Sequence, residues 1–190
     1  MLMFGVSGVS IGKMDHVTTT VVSDPPNSGP KKRGSSIMHE YLLWLPLAAY
    51  SVHVLEEAIL DWKTWAQEKL HIANVEWSIF DVTNMMVMFI AIAAAMVGWK
   101  IPAFGLIIPA LMVINAIFFH ILPTVFQRVI SPGVITSIIL FLPISSWIYY
   151  AAYEDGVLDW YTGIASFVLG GLLMASPIVF LFLRLKLKAK

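Results

Sequence analysis

One helical turn, His53-Val54-Leu55-Glu56-Glu57, carries an imidazole and two carboxylates inside a segment otherwise apolar enough for lipid. At about 100° per residue, Glu56 and Glu57 fall roughly 60° to one side and 40° to the other of His53, so the three side chains share one helix face. Ionisable groups buried in a membrane pair, bind an ion or line a polar cavity, because an isolated charge at the bilayer centre costs roughly 2.5–3.5 kcal/mol. Downstream, Asn115 and His120 interrupt another apolar run, and Asp81 and Asn84 a third. His53, Glu56, Glu57 and His120 offer two nitrogens and two carboxylates. That set suits zinc, iron or manganese, with positions left open for water or substrate. One carboxylate could instead stay off the metal as a general base. Carboxylate-bridged helical bundles place Glu three residues before His; here the order is reversed and occurs once, which argues against a full di-iron site.

Each residue also has a plainer explanation. Glu56 and Glu57 could be interfacial charges leaving the membrane beside Asp61 and Trp62. Asp81 suits a helix start, where carboxylates are favoured, and Asn84 could bond a neighbouring helix. His120 lies three residues before Pro123, where a helix is disturbed. On an ideal helix Asn115 and His120 stand roughly 140° apart, so they would flank a site rather than share a face. Ser131-Pro132-Gly133 reads first as turn chemistry before a helix and second as a nest of backbone donors. His16, His39 and His71 fall outside the expected spans and call for no special role.

The elements that must position these groups are long and greasy. Of 190 residues, 58% are hydrophobic and 13% charged, against about 45–50% and 25% in soluble domains, and the mean hydropathy is +0.79. Five apolar runs, Tyr41–Leu60, Ile79–Val97, Ala103–Leu122, Gly133–Tyr153 and Trp160–Leu183, each approach the ~20 residues of a spanning helix. Trp44, Trp99, Trp147, Tyr149, Tyr150, Tyr153, Trp160 and Tyr161 mark their ends as an aromatic belt would. Small residues at i, i+4, such as Ala91/Ala95 and Ser166/Gly170, suit close helix packing. Between the first two runs, Asp61 to Trp77 keeps helical period, with Trp62, Trp65, Ala66, Leu70, Ala73 and Trp77 on one side, as in an amphipathic helix lying on the membrane. Residues 1–36, rich in Thr, Ser, Pro, Gly and Lys, read as a polar disordered tail without a signal peptide. A net charge of zero offers no field for nucleic acid, and the absence of cysteine excludes disulfides and sulfur-ligated metal.

Up-and-down connectivity has a geometric consequence. The end of the first span, the start of the second, the end of the third and the start of the fourth share one leaflet, and these carry His53, Glu56, Glu57, Asp81, Asn84, Asn115, His120 and Ser131-Pro132-Gly133. Glu154, Asp155 and Asp159 fall at the opposite surface, as a solvated loop.

At these residues the chain resembles the family of integral membrane proteins named for an HXXEE motif, matched by His53, Glu56 and Glu57. Asn115-Ala116-Ile117-Phe118-Phe119-His120 and Ser131-Pro132-Gly133-Val134 resemble that family's later motifs, so the resemblance runs from about Tyr41 to the end. It implies a membrane enzyme, with no reaction assigned to it.

The expectation is an all-α, multi-pass bundle of five transmembrane helices plus one interfacial helix in a cell membrane. The leading function is a metal-dependent enzyme, hydrolase or oxidase-like, acting on an apolar or amphiphilic small molecule from the lipid phase; membrane lipids and a second copy of the chain are the expected partners. A proton-coupled carrier or relay and a non-enzymatic membrane subunit are the alternatives. Basic residues flank both ends, and adding Lys63, Lys69 and Arg128 tilts the count toward a cytoplasmic C-terminus.

Overall fold

The computed structural model describes residues 38–71 and 76–179, and its described elements are all helical. Five helices are long and apolar enough to cross a membrane: α1 (His39–Ile59), α3 (Trp77–Lys100), α4 (Pro102–Gln127), α5 (Val134–Glu154) and α6 (Trp160–Val179). A short helix, α2 (Trp62–Lys69), joins the first two. All five spans fall where the apolar runs predict; residues 1–37, which include the expected tail and His16, and the expected end of the last span beyond 179, lie outside the described residues.

α4 is the centre of the bundle: 61% of its most apolar window is buried, against 33–39% for α1, α3 and α5 and 11% for α6. Its Ile107, Ile108, Leu111 and Met112 pack with Ala49 and Tyr50 of α1, Val87, Ala91 and Ala94 of α3 and Phe141 of α5. Alanines on the inner face of α3 let its backbone approach α4, the role small residues take where lipid removes the hydrophobic drive for helix pairing. α6 comes closer still. A Cβ on Gly170 would lie 2.9 Å from Leu111 N and 3.0 Å from Ile107 O, so only glycine allows this contact. Meanwhile Leu55, Phe89, Met96, Ile139 and Leu172 are exposed on the outer surface, a distribution suited to lipid rather than water.

The helix boundaries follow local chemistry. Asp159 caps α6 by accepting from Thr162 N at 2.6 Å, and Asp61 caps α2 by accepting from Thr64 N at 3.4 Å. The surface helix is shorter than its sequence period predicts: α2 ends at Lys69, and His71 adopts a left-handed φ of +54°. Ala73 and Asn74 of that expected helix lie outside the described residues. Trp65 and Ala66, on the side expected to be apolar, are buried within the protein, and Gln127 Nε2 donates to Lys69 O at 3.2 Å, fastening α2 to the end of α4.

At the other end of the bundle two expectations are corrected. Asp155 is not part of a solvated loop: its side chain is 1% exposed. It accepts from the His39 backbone N–H, the His39 ring at 2.8 Å and the Trp99 indole N–H at 2.9 Å. Burial pushes its pKa up, but these hydrogen bonds outweigh burial and hold it below the usual aspartate value. His39 therefore has a structural partner, and Trp99 is a buried tie between helices rather than a belt residue. Trp44, Trp147, Tyr150, Tyr153, Trp160 and Tyr161 remain exposed, as belt residues must.

Candidate metal centre

Polar groups from the first four spans, Asp81 excepted, come together at one end of the bundle. His53 on α1 is 1% exposed, Glu57 one turn later 6%, and His120 on α4 0%. Glu57 Oε1 lies 3.6 Å from His53 Nε2 and 3.5 Å from His120 Nε2, too long for hydrogen bonds to an imidazole nitrogen. Both Nε2 atoms are buried without a hydrogen-bond partner. The two rings meet edge to face with centroids 4.8 Å apart.

The other nitrogen of each ring faces a hydroxyl. His53 Nδ1 sits 2.8 Å from Thr136 Oγ1, which also lies 3.2 Å from Gly133 O. His120 Nδ1 sits 3.2 Å from Ser131 Oγ, which also lies 3.2 Å from Pro132 O. With each hydroxyl donating to its carbonyl and accepting from Nδ1, both Nε2 lone pairs face the Glu57 carboxyl group. Ligand atoms on a four-coordinate zinc lie about 3.3–3.6 Å apart, given bonds of about 2.0–2.2 Å. The two spacings to Glu57 Oε1 fall in that range, and the hydroxyl partners on the far nitrogens are the kind that orient metal-bound histidines. His53, Glu57 and His120 form such a group, their candidate ligand atoms all within 4.8 Å of one another.

Glu56 is not brought into this group. It points off the other side of the turn, where Oε1 accepts from Gly133 N at 3.1 Å and Ile135 N at 3.2 Å and Oε2 accepts from Thr136 N at 2.8 Å. A carboxylate at the start of α5 satisfies amides that have no partner within the helix and meets the positive end of its dipole. Of Ser131-Pro132-Gly133 only the Gly133 amide joins this nest, since Ser131 N donates to Thr124 Oγ1 and proline has no N–H; Ile135 and Thr136 supply the other donors, and the chain's own Glu56 fills it. Gly133 adopts φ +94°, and a Cβ there would lie 2.6 Å from His120 Cε1 and 2.7 Å from His53 Cε1. Both rings lean on a bare backbone.

Asn115 and His120 do share a face. The stretch Asn115–Ile121 is wound as a π-helix, whose i→i+5 hydrogen bonds set residue i+5 nearly over residue i. Both residues line a cavity of about 200 Å³, together with Glu57, Asn84 and Tyr50. Asn84 accepts from Tyr50 OH at 2.7 Å, and Asn115 Nδ2 rests 3.7 Å from Met174 Sδ. Asp81 is exposed on the second turn of α3 and lies outside both groups. Thr136 and Tyr50 are site residues that motif reading passes over: Thr136 lies one turn past Gly133, and Tyr50 precedes His53 by three positions on α1.

A relative, "Uncharacterized protein YrkK" of Bacillus subtilis (strain 168), is 34% identical over 71 residues, which cover 37% of this chain and 45% of that protein. The chain thus spans less than half the length of that relative. No solved structure matches. The family described as "Protein of unknown function with HXXEE motif" matches residues 44–148, more than half of the chain and the whole of the His53, Glu57 and His120 cluster, and the protein belongs to that family.

Proposed function

We propose that this protein is a membrane-embedded, metal-dependent enzyme that acts on an apolar or amphiphilic molecule drawn from the lipid phase. The observation carrying this reading is the convergence of two imidazole Nε2 atoms without hydrogen-bond partners on one buried carboxyl oxygen. Residues that only glue helices together complete their hydrogen bonds. These three are oriented by their surroundings and left incomplete at one common point. His53, His120 and Glu57 would hold the metal, which when bound supplies a Lewis acid; zinc suits hydrolysis and iron(II) suits oxygen chemistry.

The chain's own residues do the rest. Thr136 and Ser131 fix the histidine tautomers, Gly133 lets both rings approach, and helices α1, α3, α4 and α6 wall the cavity against water. Glu56 is taken up by backbone amides and is not free to act as a general base. Trp62 of the surface helix also lines the cavity, which favours an access role for α2 over that of a plain connector.

Elemental analysis of protein purified in mild detergent without added metal tests the reading. One transition metal per chain is expected, lost in Glu57→Gln and in His120→Ala. A proton relay would instead leave the wild type metal-free, with Glu57→Gln stopping proton movement in vesicles. Metal-free wild type with variants altered only in thermal stability would sink the enzyme reading.

A further inference from the structure

The cavity beside Glu57 and His120 has a polar end and an apolar body. Phe80, Val87, Leu111, Phe119 and Leu173 supply apolar wall, and among the described residues neither lysine nor arginine lines it. Beyond Glu57 and His120, the polar side chains that border it are uncharged. Tyr50 donates to Asn84 Oδ1, which leaves the Asn84 NH2 as a donor in need of an acceptor. Asn115 is held the opposite way: its NH2 faces Met174 Sδ, while its buried Oδ1 has no partner. Thr83 Oγ1 is likewise buried and unpartnered. One unsatisfied acceptor, one available donor and one hydroxyl therefore border the same space.

We infer that the cavity binds an uncharged, hydroxyl-bearing amphiphile, its hydroxyl donating to Asn115 Oδ1 and accepting from Asn84 Nδ2, with its carbon chain along the apolar wall. This inference rests on the enzyme reading above and names its substrate class. In the metal-free cavity a phosphate or carboxylate head would shed its water beside the Glu57 carboxylate, with no lysine or arginine of the described lining to pair it, and burying such a charge unpaired is strongly unfavourable. An ether or ester can accept from Asn84 but has no hydrogen for Asn115 Oδ1, so a buried acceptor stays empty. Only a group that both donates and accepts satisfies the pair. Size sets the rest: a dry cavity of about 150 Å³ takes one benzene ring, so about 200 Å³ takes the head and the first several carbons. Ile178 lines the cavity and is 59% exposed on the outer surface, so the space reaches the lipid side of the bundle near the end of α6, where the remaining chain would leave.

The test is equilibrium binding of radiolabelled 1-decanol to the full chain in lipid nanodiscs, measured against empty nanodiscs with chelator-treated and metal-loaded protein. Saturable decanol binding is expected in both states, with 1-methoxydecane at least about tenfold weaker in both and decanoate at least about tenfold weaker in the chelator-treated protein. Asn115→Leu should erase the preference for decanol over 1-methoxydecane, and the near-isosteric Thr83→Val should reduce it if Asn115→Leu does not fold. Val82→Leu, on the exposed side of α3, should change nothing. Decanoate binding the chelator-treated protein as tightly as decanol, 1-methoxydecane doing so in either state, or no saturable binding above empty discs, overturns the inference. Decanol binding by a protein that purifies without metal and takes up none on loading would instead defeat the metal reading alone, so the two failures are distinct.

Discussion

Replacing Gly133 with alanine tests the site through a single methyl group. Two effects act together. The backbone φ of +94° belongs to the region that L-residues avoid, and holding alanine there costs about 1–2 kcal/mol. The new Cβ would also lie within 2.9 Å of three imidazole atoms from two rings that are both essentially unexposed. Overfilling a packed interior costs about 1–3 kcal/mol, so the whole penalty is about 2–5 kcal/mol. Gly156 separates the parts, because it has φ +69° with nothing within 4 Å of its would-be Cβ. Gly156→Ala should show only the backbone share. The steric share of Gly133→Ala falls on the rings, which can move only by giving up Thr136 and Ser131, and loss of such orienting partners weakens metal binding about 10–100-fold. Thermal unfolding in detergent and competitive metal titration of both variants read the two shares. A Gly133→Ala protein with the melting temperature of Gly156→Ala and wild-type metal affinity would refute the packing of both rings on this backbone.

The two adjacent glutamates should separate cleanly. Glu56→Gln puts an amide NH2 where an oxygen now accepts from α5, so unfolding should become easier by about 1–3 kcal/mol while metal stoichiometry is kept; unaltered stability together with lost metal would reverse the assignment. Acid stability offers a check at the far end of the bundle. The Asp155 pKa is depressed in the folded protein, so its contribution is full above the ordinary aspartate value of about 3.9 and is lost as pH falls through the folded value. Asp155→Asn should flatten the acid limb of a melting-temperature profile below about pH 4, and an unchanged limb would show that the contacts with His39 and Trp99 carry no linkage.

Segment by segment, the spans were legible because hydrophobic length is a one-dimensional property, and the pooling of polar groups in one leaflet followed from counting spans. Angular detail was not. Glu56 and Glu57 both lie close to His53 on a helical wheel, and what divides them is the start of α5, nearly eighty residues away, which draws Glu56 to its amides. Asn115 and His120 were mis-set because the wheel assumes α winding, which this stretch lacks. Asp155 looked like loop chemistry since its neighbours Glu154 and Asp159 are exposed; its partners lie 56 and 116 residues earlier.

The π winding of Asn115–Ile121 also makes this protein answer insertion and deletion unequally, in a way its composition hides. Removing one residue from that stretch shortens the span by only about 1.5 Å and can be absorbed by a return to α winding, in which residue i+4 takes the place of i+5 over residue i, whereas one added residue shifts the phase of every later position by about 100°. A chain with such an insertion could enter the bilayer, fold and present a full-length apolar helix with His120 turned out of its cluster. A second π stretch, Ser137–Phe141, begins directly after Thr136. In this fold, helix phase is a heritable trait in its own right, and counting residues between Asn115 and His120 reports on the centre's integrity where hydropathy cannot.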